Sequence, residues 1–384
     1  MSIADKLTKQ PPYKLLALDG GGIRGLIAIE VLAEIERLLK AQPGRGDDFV
    51  LADYFDYVAG TSTGAVIATC IALGLPMKEV RTFYLESAEL MFEKASVLKR
   101  LHYKFEDEPI AKKLRSVIAD QTGEAITTLG SSKLRTLLMM VLRNASTDSP
   151  WPLSNNPQAK YNCPDDRPGC NLKLPLWQLV RASTAAPTYF PPEQIAVGPN
   201  QFVFVDGGVT TYNNPAFQLF LMATVEPYNL NWKPKKPEDM LLVSIGTGTS
   251  PEANGSLQPE DMHLLFNASS IPSALMFAAL NEQDFLCRVF GKCLTGDPLD
   301  RELHSMVDGS AKHGTRGPVD PKLFTYLRYN AELTRPGLAA LGLQDIEPEN
   351  VQKLDSVKHK KDLQRVGEAV ARANVKAAHF AGFN

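Results

Sequence analysis

The chain has 384 residues, 44% of them hydrophobic, which is enough to bury one large α/β core or a core with a smaller lobe. Lys and Arg total 41 against 43 for Asp and Glu, a formal net charge of -2, which argues against a nucleic-acid binder or a polybasic membrane anchor. Five cysteines without CxxC spacing argue against a disulfide framework or a zinc knuckle and fit a reducing cytoplasm.

The N-terminus, MSIADKLTKQPPYK, lacks the apolar centre of a signal peptide, and no run of about 18 apolar residues is present to span a bilayer, so a soluble protein is expected. Residues 13–18 (YKLLAL) read as a buried strand ending at 19–25, DGGGIRG. Residues 26–39 (LIAIEVLAEIERLL) follow as an amphipathic helix over one sheet face. In such a strand–loop–helix unit the backbone N–H groups of Gly20, Gly21, Gly22, Ile23, Arg24 and Gly25 can converge on an anion, either a phosphate or an acyl-transfer oxyanion. Gly20, Gly22 and Gly25 also satisfy the G-x-G-x-x-G of a dinucleotide site, the alternative being a nucleotide-binding module without hydrolysis. That fold needs an acidic strand end about 20 residues further on. The polar loop 43–48 (PGRGDD) stands there instead, and the next strand-like run ends in a serine turn.

That run is 55–64, FDYVAGTSTG. Gly60-Thr61-Ser62-Thr63-Gly64 has the G-x-S-x-G pattern of a nucleophile elbow, in which flanking glycines permit a sharp turn and the following helix (65–73) leaves N–H groups beside the serine. Residues 76–92 read as a surface helix, and the basic stretch around Lys94, Lys99, Arg100, His102, Lys104, Lys112, Lys113 and Arg115 reads as a solvated face or an anion-binding patch. Residues 134–142 form a further core strand, and the Pro- and Asn-rich 144–171 reads as a long excursion bordering the substrate entrance. Residues 176–192 begin as a helix and run into three prolines. Residues 201–208 (QFVFVDGG) deliver Asp206 into a turn at Gly207 and Gly208, placing it, like Ser62, at a strand end, and strand ends of a parallel sheet converge on one edge. None of the six histidines ends an apolar strand, so the economical base for Ser62 is Asp206. Residues 271–294 offer an apolar helical face assigned to the core, 321–330 a strand, and 351–380 two closing helices.

These motifs resemble those of the patatin-like phospholipases, whose marks are the DGGGxRG loop (residues 19–25), the GxSxG elbow (60–64) and the DGG aspartate (206–208), with the RASTAAPTYFPP run (181–192) and SIGTG (244–248) in support. The resemblance implies a three-layer α/β/α fold with a mostly parallel central sheet, forming one domain over 1–384 with a motif-bearing core at about 13–250 and a helical elaboration at about 251–384. It also implies a Ser–Asp dyad of Ser62 and Asp206 that hydrolyses acyl esters of membrane lipids from the cytoplasm, peripherally at the inner membrane. No metal or other cofactor is expected, since no DxDxDG-like calcium loop occurs. Similarity to bacterial antiphage effectors further implies a cyclic nucleotide as activator, with the basic stretch from Lys94 to Arg115 as its contact.

Overall fold

Strand β1 (Tyr13–Leu18) is buried at every position, because Tyr13, Leu15 and Ala17 pack into one apolar cluster and Leu16 and Leu18 into another on the opposite face. Such two-sided burial is what a continuous apolar strand needs, and it places β1 at the centre of a covered sheet. The computed structural model describes residues 3–92, 109–162, 169–187, 189–250, 264–299 and 319–383.

Among the described residues nine strands make one sheet: β1, β2 (Tyr57–Thr61), β3 (Leu137–Asn144), β4 (Ser149–Ser154), β5 (Glu193–Val197), β6 (Asn200–Asp206), β7 (Met240–Ile245), β8 (Gly291–Thr295) and β9 (Phe324–Tyr329). Their order is β5-β6-β3-β2-β1-β7-β9-β8, with β4 beside β3. Pairing is parallel from β3 through to β8 and antiparallel at β3–β4, β3–β6 and β5–β6. Helices α1 (Gly25–Lys40), α2 (Thr63–Ala72), α3 (Met77–Phe92), α4 (Pro109–Thr122) and α5 (Leu176–Ser183) bury apolar side chains in the cluster that holds Leu16 and Leu18. On the other face, α6 (Ala216–Thr224) and Cys287 of α7 (Leu264–Phe290) pack in the cluster of Leu15 and Tyr57, whereas α8 (Lys360–Asn374) joins the first face through Leu363, Val366 and Val370. The α/β, three-layer arrangement with a mostly parallel sheet is the one expected.

The feature that positions the site is the edge of β3. Its residues Leu137 to Val141 pair in parallel with β2, and Leu142 to Asn144 pair antiparallel with β6, while β4 takes up the opposite edge from Met139 to Asn144. The strands β2 and β6 therefore lie end to end along one edge of β3 and run toward each other, Thr61 opposite Val141 and Asp206 opposite Leu142. The expectation that both strand ends converge as in a parallel sheet is corrected here, since Asp206 arrives from the opposite direction.

Other expectations are also revised. The stretch 144–171 is not an excursion throughout: it opens as the β3–β4 hairpin, in which Pro150 and Pro152 face Arg143 and Val141. Proline lacks a ladder donor but is tolerated on an edge strand, so these prolines conceal the strand pattern. Trp151 packs on Phe202 and Phe204, with ring centroids 5.4 and 5.1 Å apart. The helix expected to 294 ends at Phe290 and continues as β8; its apolar face is not all core, since Leu275 is 65% exposed. The strand expected over 321–330 is β9, but the C-terminal part also supplies β8, and one long helix, α8, with short helical turns stands where two were expected over 351–380. Lys94, Lys99, Arg100, His102 and Lys104 lie outside the described residues, and Arg115 of α4 lays its guanidinium 3.8 Å over the Trp177 ring. Among the described residues no helix is long and apolar enough to cross a membrane.

Burial distinguishes the two kinds of leucine. Leu16→Ala, in the fully buried central strand, should lower unfolding free energy by about 2–5 kcal/mol. Leu275→Ala should change it by less than about 0.5 kcal/mol in the same urea titration, as surface substitutions do.

Candidate active site

Where β2 leaves the sheet, Ser62 adopts φ 54 and ψ -123, a backbone region that side-chain-bearing residues avoid. The glycines beside it are required by contact: a Cβ on Gly60 would lie 2.0 Å from the Gly64 carbonyl oxygen, and one on Gly64 would lie 2.3 Å from that of Leu18. Helix α2 starts at once with Thr63, so the positive end of its dipole lies next to Ser62, whose carbonyl accepts the N–H groups of Ala65 and Val66. The two threonines hold the turn in place. Thr61 Oγ1 donates to the Tyr212 carbonyl at 2.6 Å, and Thr63 Oγ1 and the Tyr84 hydroxyl share a 2.8 Å bond.

Ser62 Oγ donates to Asp206 Oδ2 at 2.6 Å, across 144 residues of sequence. The other carboxylate oxygen, Oδ1, accepts the Gly208 N–H at 2.6 Å, and Gly207 sits so close to β3 that a Cβ would lie 2.2 Å from the Val141 oxygen. Asp206 is 5% exposed, and burial pushes its carboxyl up to about 6. The bonds from Ser62 and Gly208 and the positive charge of Arg181 oppose that rise.

The glycine loop lies alongside, but fewer of its N–H groups are available than the sequence suggests. Gly20 N–H donates to the Asn213 carbonyl at 3.1 Å and Ile23 N–H to that of Leu354 at 3.0 Å, while Arg24 N–H turns back to Gly21 and Gly25 N–H to Gly22. Of the expected set, only the N–H groups of Gly21 and Gly22 have no acceptor among the described residues. Gly22 has φ 59, and a Cβ there would lie 2.3 Å from the Leu354 carbonyl, so the loop is pressed between its neighbours. The Arg24 side chain is also committed, donating to the Gln352 carbonyl at 3.1 Å, and burial lowers its pKa to about 10.

Several residues that hold this geometry escape sequence reading. Asp19, at the root of the loop, takes a two-pronged ion pair from Arg328 of β9 at 2.9 and 2.6 Å, and Arg328 also donates to Ser244 Oγ at 2.8 Å. Burial pushes the Asp19 carboxyl up and the Arg328 guanidinium opposes it. Thr247 Oγ1 donates to the Gly20 carbonyl at 2.7 Å. The available signal was Arg328 inside the apolar strand FTYLRY, since a buried guanidinium demands a carboxylate partner. His379 bonds the Tyr329 hydroxyl at 2.7 Å and His359 meets Asp362 at 3.2 Å, so neither partners Ser62; the other four histidines lie outside the described residues. Among the described residues no group of three His, Cys, Asp or Glu side chains is placed to hold a metal ion.

Residues 16–220 match the family described as patatin-like phospholipase, a span that holds the glycine loop, the elbow and Asp206. The chain belongs to this family. It is 28% identical over 315 residues to Patatin-T5 of Solanum tuberosum, covering 73% of this chain and 77% of that protein. It is 31% identical over 243 residues to a cGAMP-activated phospholipase of Vibrio cholerae, covering 61% and 64% respectively. An intracellular phospholipase A2 of Caenorhabditis elegans is 31% identical over 248 residues, or 63% of this chain and 20% of that one. The match thus spans under two thirds of the bacterial and nematode relatives' lengths.

The environment of Asp206 has a measurable consequence for this patatin-like protein. Burial raises its folded carboxyl from an ordinary 3.8 to about 6, so between these values the folded state binds more proton and stability falls as pH rises through that window. Asp206→Asn removes the buried charge. Calorimetry should therefore show a higher Tm than wild type at pH 7 and a gap that closes below about pH 4; equal Tm values at pH 7 would contradict this reading.

Proposed function

We propose that the protein is a serine acyl hydrolase that cleaves ester bonds of membrane lipids through Ser62 and Asp206, acting peripherally on the membrane surface. The observation that carries the reading is the 2.6 Å hydrogen bond between a serine on a strained strand-to-helix turn and a buried carboxylate whose pKa is near 6. A base with that pKa is mostly ionised at neutral pH yet basic enough to share a proton in the transition state.

In the first step Ser62 Oγ attacks the ester carbonyl carbon as Asp206 Oδ2 takes its proton. Negative charge gathers on the former carbonyl oxygen, where the free N–H groups of Gly21 and Gly22 and the N-terminal dipole of α2 can meet it. Collapse of this intermediate expels the lipid alcohol, which leaves with the proton from Asp206, and an acyl ester remains on Ser62. In the second step Asp206 deprotonates a water that attacks the acyl carbon, and the departing Ser62 oxygen recovers the proton. Ser62 and Asp206 work as a unit in both steps. Fatty-acid release from phospholipid vesicles should fall by about 10³-fold or more in Ser62→Ala and comparably in Asp206→Asn. In wild type, kcat/KM should lose its activity as pH drops through about 6, because the protonated carboxyl no longer accepts. Retained hydrolysis in a folded Ser62→Ala protein would overturn the assignment.

A regulatory reading has support from two relatives. The Vibrio cholerae protein and one from Escherichia coli, 33% identical over 212 residues, both carry the name cGAMP-activated phospholipase. An acyl hydrolase left active beside its own membrane would be harmful, so a cyclic nucleotide is proposed as an activator here too. Fatty-acid release should rise at least about tenfold when cGAMP is added to the purified chain, a shift of about 1.4 kcal/mol. Full activity without any cyclic nucleotide would remove the idea.

A further inference from the structure

The turn that carries Ser62 leaves one backbone group to be satisfied away from the strand ladder. Thr61 is the last residue of β2 to pair with β3, opposite Val141. One residue later, Ser62 N–H does not reach β3 directly; it donates to Ser183 Oγ at 3.0 Å, and that hydroxyl in turn donates to the Val141 carbonyl at 2.7 Å. The side chain of Ser183, fully buried at the end of α5, thus stands between β2 and β3 where the chain turns away from the sheet. Two residues on, the Ala185 carbonyl accepts the backbone N–H of Asp206 at 3.0 Å. One short segment therefore fastens the backbone of the nucleophile through a hydroxyl and the backbone of its base through a carbonyl.

We propose that residues 183–185 act as a brace setting the separation of Ser62 Oγ and Asp206 Oδ2, with Ser183 as the positioning residue. The inference rests on the reading of Ser62 and Asp206 as the catalytic pair. Ser183 is suited to the task because a hydroxyl can accept from the Ser62 N–H and donate to Val141 through one and the same atom. Removing it leaves both a buried donor and a buried acceptor without a partner, at the point where the backbone already sits in an unfavourable conformation. The energy holding Ser62 in place is reduced, and a displacement of an ångström at a nucleophile is enough to slow its attack strongly.

The test compares Ser183→Ala, Ser183→Thr and Ser183→Cys with wild type on a soluble short-chain ester and on phosphatidylcholine vesicles. In Ser183→Ala, kcat is expected to fall about 10- to 100-fold with KM nearly unchanged. Its acid limb should move to higher pH, because the Ser62 bond that holds the Asp206 carboxyl down is weakened. Ser183→Thr keeps the hydroxyl and should recover most of kcat. Labelling of Ser62 by a fluorophosphonate should slow in Ser183→Ala in parallel with kcat.

Wild-type kcat in Ser183→Ala overturns the brace, as does a loss with an unmoved acid limb that Ser183→Thr does not repair. Should the alanine variant not fold by circular dichroism, Ser183→Cys decides, since its weaker bonds predict a reduced kcat and a wild-type value rejects the proposal. Ser62→Ala separates the two levels. If it remains active, the catalytic pair itself is wrong; if it is inactive while Ser183→Ala is not, only the brace fails.

Discussion

The arrangement on which the rest depends is the sharing of one edge of β3 by two strands that run head to head. Side-by-side strands hold their backbones about 4.8 Å apart, with turns that diverge as they leave the sheet. Because β2 and β6 instead approach along the same edge, they end opposite consecutive residues, Val141 and Leu142, and Ser62 and Asp206 emerge together. This crowding explains the small residues around the site. The Val141 carbonyl receives the Ser183 hydroxyl while Gly207 presses against it, and Gly60 and Gly64 touch backbone where any Cβ would collide. Strain at Ser62 is sustained because the surrounding sheet over-determines it.

Two carboxylates are buried within this region, and their surroundings give them different work. Asp19 is gripped on both oxygens by Arg328, so its charge is neutralised in place and it serves to fasten the glycine loop to β9. Asp206 is held by a hydroxyl and one backbone N–H, with no direct ion pair among the described residues, and its carboxyl rises to about 6. Neutral donors stabilise its charge less than a guanidinium does, which leaves the group basic enough to take a proton. Environment, not residue type, separates the structural acid from the proposed base.

The glycine loop is shaped by parts of the chain that come long after it. Thr247 follows β7, Arg328 lies on β9, and Leu354 and Gln352 come just before α8, all beyond the residues 16–220 that match the family. Leu354 takes the N–H of Ile23, as Asn213, within that span, takes that of Gly20, and among the described residues those of Gly21 and Gly22 are left without an acceptor. The same crowding bears on the nucleotide alternative. A loop that spends half of its first four N–H groups on its own protein is less suited to cradle a diphosphate than to meet one oxygen atom.

The local elements were legible in the sequence because each is specified by neighbouring residues. An unbroken apolar run made β1 readable to the residue, and glycines flanking Ser62 and following Asp206 mark turns that only small residues allow. Pro150 and Pro152 hid β4, and an apolar helix running straight into β8 hid where one ended and the other began. What only the tertiary structure decided were the relations between distant segments: that β6 runs antiparallel to β3, that Arg328 answers Asp19, that Ser183 bridges Ser62 to Val141, and which loop N–H groups stay free. Turn chemistry is set within a few residues and so is written in the sequence, whereas strand direction and hydrogen-bond partners are chosen by packing among distant segments, Asp19 and Arg328 being 309 residues apart.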